Sequence, residues 1–231
     1  MNWYENAVMY HIYPLGFCGA PKFNEGGEPV NRLEKVLDWI PHLKELGVDA
    51  VYFGPVFESV EHGYDTTDYR VIDRRLGTNE MFAHICDELH KNGIRVILDG
   101  VYSHTGSNSL YFNREGAFPS VGAYNSKESP YYSWYTFYNW PNVYHSWWDF
   151  DTLPTVNKMD PAFVRYIITD EDSVLAHWLR LGADGYRLDV ADELPDEFIK
   201  LLRNRIKELN PDALLLGEVW EDASNKCAYG K

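Results

Sequence analysis

The sequence predicts an α/β protein of repeated βα units, the pattern of a barrel or of a doubly wound sheet. Two features carry that prediction. Short, apolar, β-branched runs alternate with segments whose apolar residues recur at helical spacing, and three of those segments stop at a glycine just before the next run. With 231 residues the chain can also bury the sizeable core such an architecture needs.

Each element has its own signal. The first strand is expected over 8–13. Asn31 can cap the helix that follows, with Leu33, Val36, Leu37 and Ile40 on one face; Pro41 should kink or restart it, and Gly47 should end it. A second strand is expected over 50–53. Thr78 opens the next helix, with Phe82, Ile85 and Leu89 inward and Gly93 at its stop, leading into a strand over 95–98. A third helix carries Val174, Leu175, Trp178 and Leu179, runs to about Leu181 and ends at Gly182 before a strand over 185–188. The fourth begins near Pro195, carries Phe198, Ile199, Leu202, Ile206 and Leu209, and stops at Asn210-Pro211 before a strand over 213–216.

Residues 105–155 break this rhythm. Of the 38 positions from 111 to 148, 14 are aromatic, with no clean periodicity. A structureless loop of that length is improbable, so a small inserted unit is expected after the third strand. Most of its rings should form its own core, with one or two left to stack on sugar faces.

Composition excludes several classes. Hydrophobic residues make up 45% and charged residues 24%, near the globular average and unlike a disordered, fibrous or coiled-coil chain. No apolar run approaches the roughly 18 residues of a membrane-spanning helix. Against 21 basic residues stand 35 acidic ones, a net charge of −14 that repels phosphate backbones and accepts a neutral substrate. Cys18, Cys86 and Cys227 are widely spaced, and Met-Asn-Trp-Tyr-Glu at the start has no signal-peptide character. Reduced thiols and a cytoplasmic location are expected. His42, His84, His90, His145 and His177 are expected at the surface or in packing.

The chemistry gathers where strands run out. Asp99 follows the third strand, with His104 five residues on; Asp189 follows the fourth; Glu218 follows the fifth. In parallel βα sheets those ends lie on one face, so the three acids should converge on one pocket. Two readings remain open. Asp99, His104, Asp189 and Glu218 could ligate a divalent cation. Alternatively one acid attacks while another donates a proton, as in a retaining glycosidase. Arg187, two residues before Asp189, faces the same side; it should hold Asp189 ionised as a nucleophile and repel a metal. Glu218, with Trp220 on the same face, is expected in a less polar niche that keeps it protonated as an acid.

These residues fall in motifs that resemble glycoside hydrolase family 13, the α-amylase family. Tyr10-His11-Ile12-Tyr13-Pro14 is similar to the family's first strand, and Gly63-Tyr64-Asp65-Thr66-Thr67-Asp68-Tyr69 to the loop after its second. The stretch from Asp99 to His104 resembles the first conserved region, Gly185-Tyr186-Arg187-Leu188-Asp189 the second, and Gly217-Glu218-Val219-Trp220 the third. The resemblance implies a (β/α)8 barrel, of which about five βα units are present, with an inserted domain B after the third strand. Residues 1–104 and 156–231 would then be a partial barrel and 105–155 domain B. It further implies Asp189 as nucleophile, Glu218 as acid/base, Arg187 holding the nucleophile, and Asp99 as a structural or substrate-orienting acid. His104 would hydrogen-bond the sugar at the cleaved side, Tyr64 would stack beneath that sugar, and Trp220 would also bind substrate. The implied partner is an α-glucan oligosaccharide, α-1,4-linked with α-1,6 as the alternative, and no cofactor is required. Ser103 stands where many α-amylases have a calcium-ligating Asn, so calcium is not supported. Asp192-Glu193 and the segment Leu153-Pro154-Thr155-Val156-Asn157 point to the neopullulanase and cyclomaltodextrinase branch. No fourth conserved region follows Trp220, so the chain is expected to be the N-terminal part of a family member. The competing expectation is a catalytically silent partial barrel that at most binds oligosaccharide. Open sheet edges should also promote self-association.

Overall fold

The computed structural model describes residues 2–223. Along the chain come β1 (Met9–Ile12), the single turn α1 (Pro14–Phe17), α2 (Lys35–Glu45), β2 (Ala50–Phe53), β3 (Phe57–Ser59), β4 (Thr66–Ile72), α3 (Asn79–Lys91) and β5 (Arg95–Gly100). After a long irregular stretch containing the short strands β6 (Phe137–Asn139) and β7 (Val143–Tyr144) come α4 (Pro161–Val164), α5 (Val174–Arg180), β8 (Gly185–Leu188), α6 (Asp196–Leu209) and β9 (Leu214–Gly217).

The five expected strands form one wholly parallel sheet in the order β1-β2-β5-β8-β9. Their side chains alternate between two faces. One face sets Val51, Phe53, Val96, Leu98, Tyr186 and Leu188 against helix residues such as Val36, Leu43, Phe82, Ile85, Trp178, Phe198 and Leu202, all in one buried cluster. The other face carries a small cluster of Ala50, Ile97 and Leu214 with Trp3, Tyr4, Met9 and Tyr52. Helices covering a single face, over strands apolar throughout, are the architecture of a barrel wall. Among the described residues β1 and β9 each pair on one side only.

Local details explain the helix boundaries. Thr78 caps α3 as expected, its hydroxyl accepting the Met81 N–H at 3.2 Å. Asn31 does not cap: its side chain makes no such bond, and a 3₁₀ turn, Arg32–Glu34, precedes α2 instead. α2 runs through Pro41 without the expected break. Gly182 adopts φ +108°, and a Cβ there would lie 2.6 Å from the Cys86 Cβ, so the turn into β8 requires glycine. The β3–β4 hairpin has no counterpart in the sequence expectation. Glu58, Asp68 and Arg70 deprive it of the apolar character that marks the parallel strands.

The stretch 105–155 leaves and returns at one place, the Thr105 N–H bonding the Pro154 carbonyl at 3.1 Å. Tyr111, Phe112, Trp134 and Tyr135 are buried in it, with Phe112 stacked on Phe137 at 5.9 Å. β6 and β7 make a separate antiparallel pair. Cys18 and Cys86 are free thiols; Cys227 lies outside the described residues. Among the described residues no helix is long and apolar enough to cross a membrane.

Candidate active site

Register aligns the site. Asp99 on β5 pairs with Arg187 on β8, and Arg187 with Leu216 on β9, so the three neighbouring strands present one level of side chains. Asp189 and Glu218 follow directly past the ends of β8 and β9. Their backbones are tied in by Asp189 N–H to the Gly100 carbonyl (3.1 Å) and Glu218 N–H to the Leu188 carbonyl (3.0 Å). The acids therefore converge because parallel register continues one residue beyond each strand.

Arg187 stands at the centre. Its Nη1 donates to Asp99 Oδ1 at 2.8 Å and to Asp189 Oδ1 at 2.9 Å, while Nη2 lies 2.7 Å from Glu218 Oε1. Asp99 is fully buried and also accepts the Tyr52 hydroxyl at 2.6 Å. The other Glu218 oxygen accepts the Val190 N–H at 2.9 Å, from a residue held at φ 45°. Glu218 thus binds a guanidinium and an amide rather than sitting in the expected apolar niche. Trp220 is absent from this cluster. The residue is 53% exposed and its backbone N–H donates to Asp192 Oδ2 at 3.4 Å.

One cation among three carboxylates sets the electrostatics. Burial, with the charges of Asp99 and Glu218, pushes Asp189 up to about 7 despite Arg187. That reverses the sequence expectation, in which Arg187 alone would hold Asp189 low. Burial likewise raises Asp99. Tyr64 is raised by burial and next by the charge of Asp99.

His104 is buried, and burial lowers it to about 4, so it is neutral. Its Nε2 lies 3.0 Å from the Tyr64 carbonyl, which can only accept, so Nε2 carries the hydrogen and Nδ1 accepts from Ser103 Oγ at 2.8 Å. Both nitrogens are engaged, and a sugar hydroxyl reaches His104 only by displacing the Tyr64 carbonyl. The Ser103 hydroxyl donates to His104. Among the described residues no group of three or more Asp, Glu, His or Cys is arranged to hold a metal ion. The loop bearing Tyr64 is itself fixed: Asp65 accepts the Glu61 and Gly63 N–H groups at 2.8 and 3.1 Å, and Arg75 Nη1 donates to the Glu61 carbonyl at 2.8 Å.

Sequence reasoning missed two residues here. Tyr52 buttresses Asp99, and His11 stacks on Tyr52 with ring centres 4.4 Å apart. Burial and then Arg187 lower His11. The available signal was a polar ring in each of two otherwise apolar strands, on the same alternating face as Asp99.

The family model "Alpha amylase, catalytic domain" matches residues 12–231. The chain belongs to the α-amylase family. Similar proteins include an amylopullulanase of Thermoanaerobacterium thermosulfurigenes, 33% identical over 96% of this chain and 15% of its own length. Neopullulanase 2 of Thermoactinomyces vulgaris is 34% identical, over 96% of this chain and 40% of its own. Among solved structures, a cyclomaltodextrinase superposes with TM-score 0.81 at 30% identity, covering 99% of this chain and 41% of that one. The chain thus spans less than half the length of each of these relatives, and the neopullulanase and cyclomaltodextrinase branch expected from its motifs is among them.

Proposed function

We propose that these residues form the catalytic domain of a retaining α-glucan hydrolase acting on α-1,4-linked glucose oligosaccharides, without a cofactor. The observation that carries this is the single guanidinium of Arg187 shared by Asp99, Asp189 and Glu218 at three adjacent strand ends. A guanidinium already fills the place a cation would take, which favours acid/base and nucleophilic chemistry over metal ligation. In this reading the Asp189 carboxylate attacks the anomeric carbon while Glu218 gives its proton to the departing glycosidic oxygen. A covalent glycosyl–Asp189 ester results. Water, deprotonated by Glu218, then attacks the same carbon and releases the ester with overall retention. Asp99 holds Arg187, Arg187 orients both acids, and Tyr64 and Trp220 line the sugar path. Relatives named amylopullulanase, neopullulanase and cyclomaltodextrinase support an α-glucan substrate. In the same reading 1–104 and 156–231 make the barrel wall and 105–155 a domain B over the site. Free, isolated Cys18 and Cys86 support a reducing, cytoplasmic setting.

The test is turnover and trapping. Asp189→Asn is expected to cut hydrolysis of maltooligosaccharides, cyclodextrin and pullulan by about four orders of magnitude or more and to abolish any glycosyl adduct on the protein by mass spectrometry. Near-parental activity in that variant would overturn the mechanism. A second reading, glucan binding without turnover, draws on the openness of the sheet: Leu216, beside the free edge of β9, is 41% exposed. Robust turnover by the 231-residue chain would eliminate it.

A further inference from the structure

Trp220 belongs to an aromatic cluster whose other members, Trp147 and Trp148, have no part in the reaction described above. The ring of Trp147 lies 5.4 Å from the His104 imidazole, and Trp148 stacks on Trp147 at 5.4 Å with 26° between planes. Trp220 meets both edge-on, at 6.4 and 5.7 Å. Although Trp148 is 63% exposed, its orientation is fixed. Its Nε1 donates to Glu193 Oε1 at 3.0 Å, and the Trp147 Nε1 donates to Glu193 Oε2 at 2.9 Å. One carboxylate therefore takes both indole N–H groups, and these bonds are charge-assisted. The backbone below is strained, with φ 51° at Trp148 and 62° at Asp149, a left-handed pair without glycine. Glu193 ends the 3₁₀ turn Ala191–Glu193, which starts two residues after Asp189, so the clamp joins the nucleophile's own loop to the inserted segment.

We propose that Glu193 is a positioning residue whose carboxylate locks Trp147 and Trp148 into a stacking platform that, with Trp220, holds glucose units of an α-glucan outside the reacting centre. This rests on the glycosidase reading of Asp189 and Glu218. A pyranose ring offers an apolar face of C–H groups to the negative face of an indole, and a pinned indole surrenders little rotamer freedom when that contact forms. The platform adjoins His104, so a long chain seated at the acids runs onto it, whereas a disaccharide seated there leaves most of it uncovered.

The test compares maltose and maltoheptaose binding by tryptophan fluorescence and calorimetry in the full chain and in its Glu193→Ala, Glu193→Gln and Trp148→Ala variants. Glu193→Ala is expected to weaken maltoheptaose about tenfold and to leave maltose unchanged. Trp148→Ala should do the same, and the double variant should lose little more, because both changes remove one platform. Glu193→Gln keeps one accepting oxygen and should fall between. If Glu193→Ala fails to hold the parental near-UV circular dichroism, Trp148→Ala carries the same comparison. Parental affinity for maltoheptaose in both alanine variants overturns the platform, as do equal losses for both sugars or fully additive losses. A parent chain that binds neither sugar overturns the glycosidase reading and the platform with it, a result distinct from a parent that binds and variants that match it.

Discussion

A single guanidinium, that of Arg187, faces three carboxylates and cannot neutralise them all. Asp189, pushed up to about 7, binds a proton in the folded chain that the unfolded chain has already released. Between its ordinary value of 3.8 and about 7 the folded state holds more protons, so this carboxyl's contribution to stability is fully present below the ordinary value and is lost as pH rises through about 7. His104, lowered to about 4, acts in the opposite sense: its contribution is present above its ordinary 6.5 and lost as pH falls toward about 4. Urea melts across this range should show Asp189→Asn abolishing the loss toward pH 7, and an unchanged slope would count against the shared-proton cluster. In the proposed reading Asp189 attacks as the carboxylate, so kcat/KM should climb with pH to a limb near 7, and a limb near 4 would contradict this electrostatic picture. Tyr52→Phe leaves one oxygen of buried Asp99 with fewer donors and should cost about 1–3 kcal/mol, read as a lower denaturation midpoint with an isosteric side chain in place. The acids were legible in the sequence because each directly follows an apolar run. Tyr52, His11 and Glu193 were not, because their roles appear only when register and the inserted segment bring distant positions together.

Elements repeat this division. The five parallel strands and four main helices could be read because the strands are short apolar runs and the helices show their period. The β3–β4 hairpin escaped because Glu58, Asp68 and Arg70 interrupt its apolar pattern, Glu58 accepting the Arg74 N–H at 2.7 Å just past β4. Pro41 was expected to interrupt a helix that in fact runs through it, packing of Val36, Ile40 and Leu43 outweighing one missing hydrogen bond. Glycines at helix ends differ in what they tolerate. Gly47 has φ +69° and nothing within 4 Å of a built Cβ, whereas Gly182 combines φ +108° with a collision at 2.6 Å against Cys86. Gly182→Ala should cost about 1–3 kcal/mol and more than Gly47→Ala in parallel urea melts. Equal costs would show that the α3–α5 contact yields freely.

The described residues make a wall of parallel strands covered by helices on one face, with β1 and β9 unpaired among them along their outer edges. Val8 and Tyr13, flanking β1, are 51% and 41% exposed. Such edges invite further pairing, so light scattering should show mass rising with concentration. It should rise further with salt, which screens the repulsion of a chain with net charge −14. A monodisperse monomer under both conditions would mean the edges are protected. The charge was plain from composition and open edges were expected from the number of strands; the strand order shows which strands carry them. That order also bears on how the chain reaches its final state. Tyr52 and Asp99 are separated by 47 residues, but Asp99 and Arg187 by 88, with the whole inserted segment between them. Contacts across longer spans lose more chain entropy on closure and form later. β1, β2 and β5 pair over shorter spans than β5 with β8, and the pocket is complete only once β8 brings Arg187 and Asp189 and β9 brings Glu218.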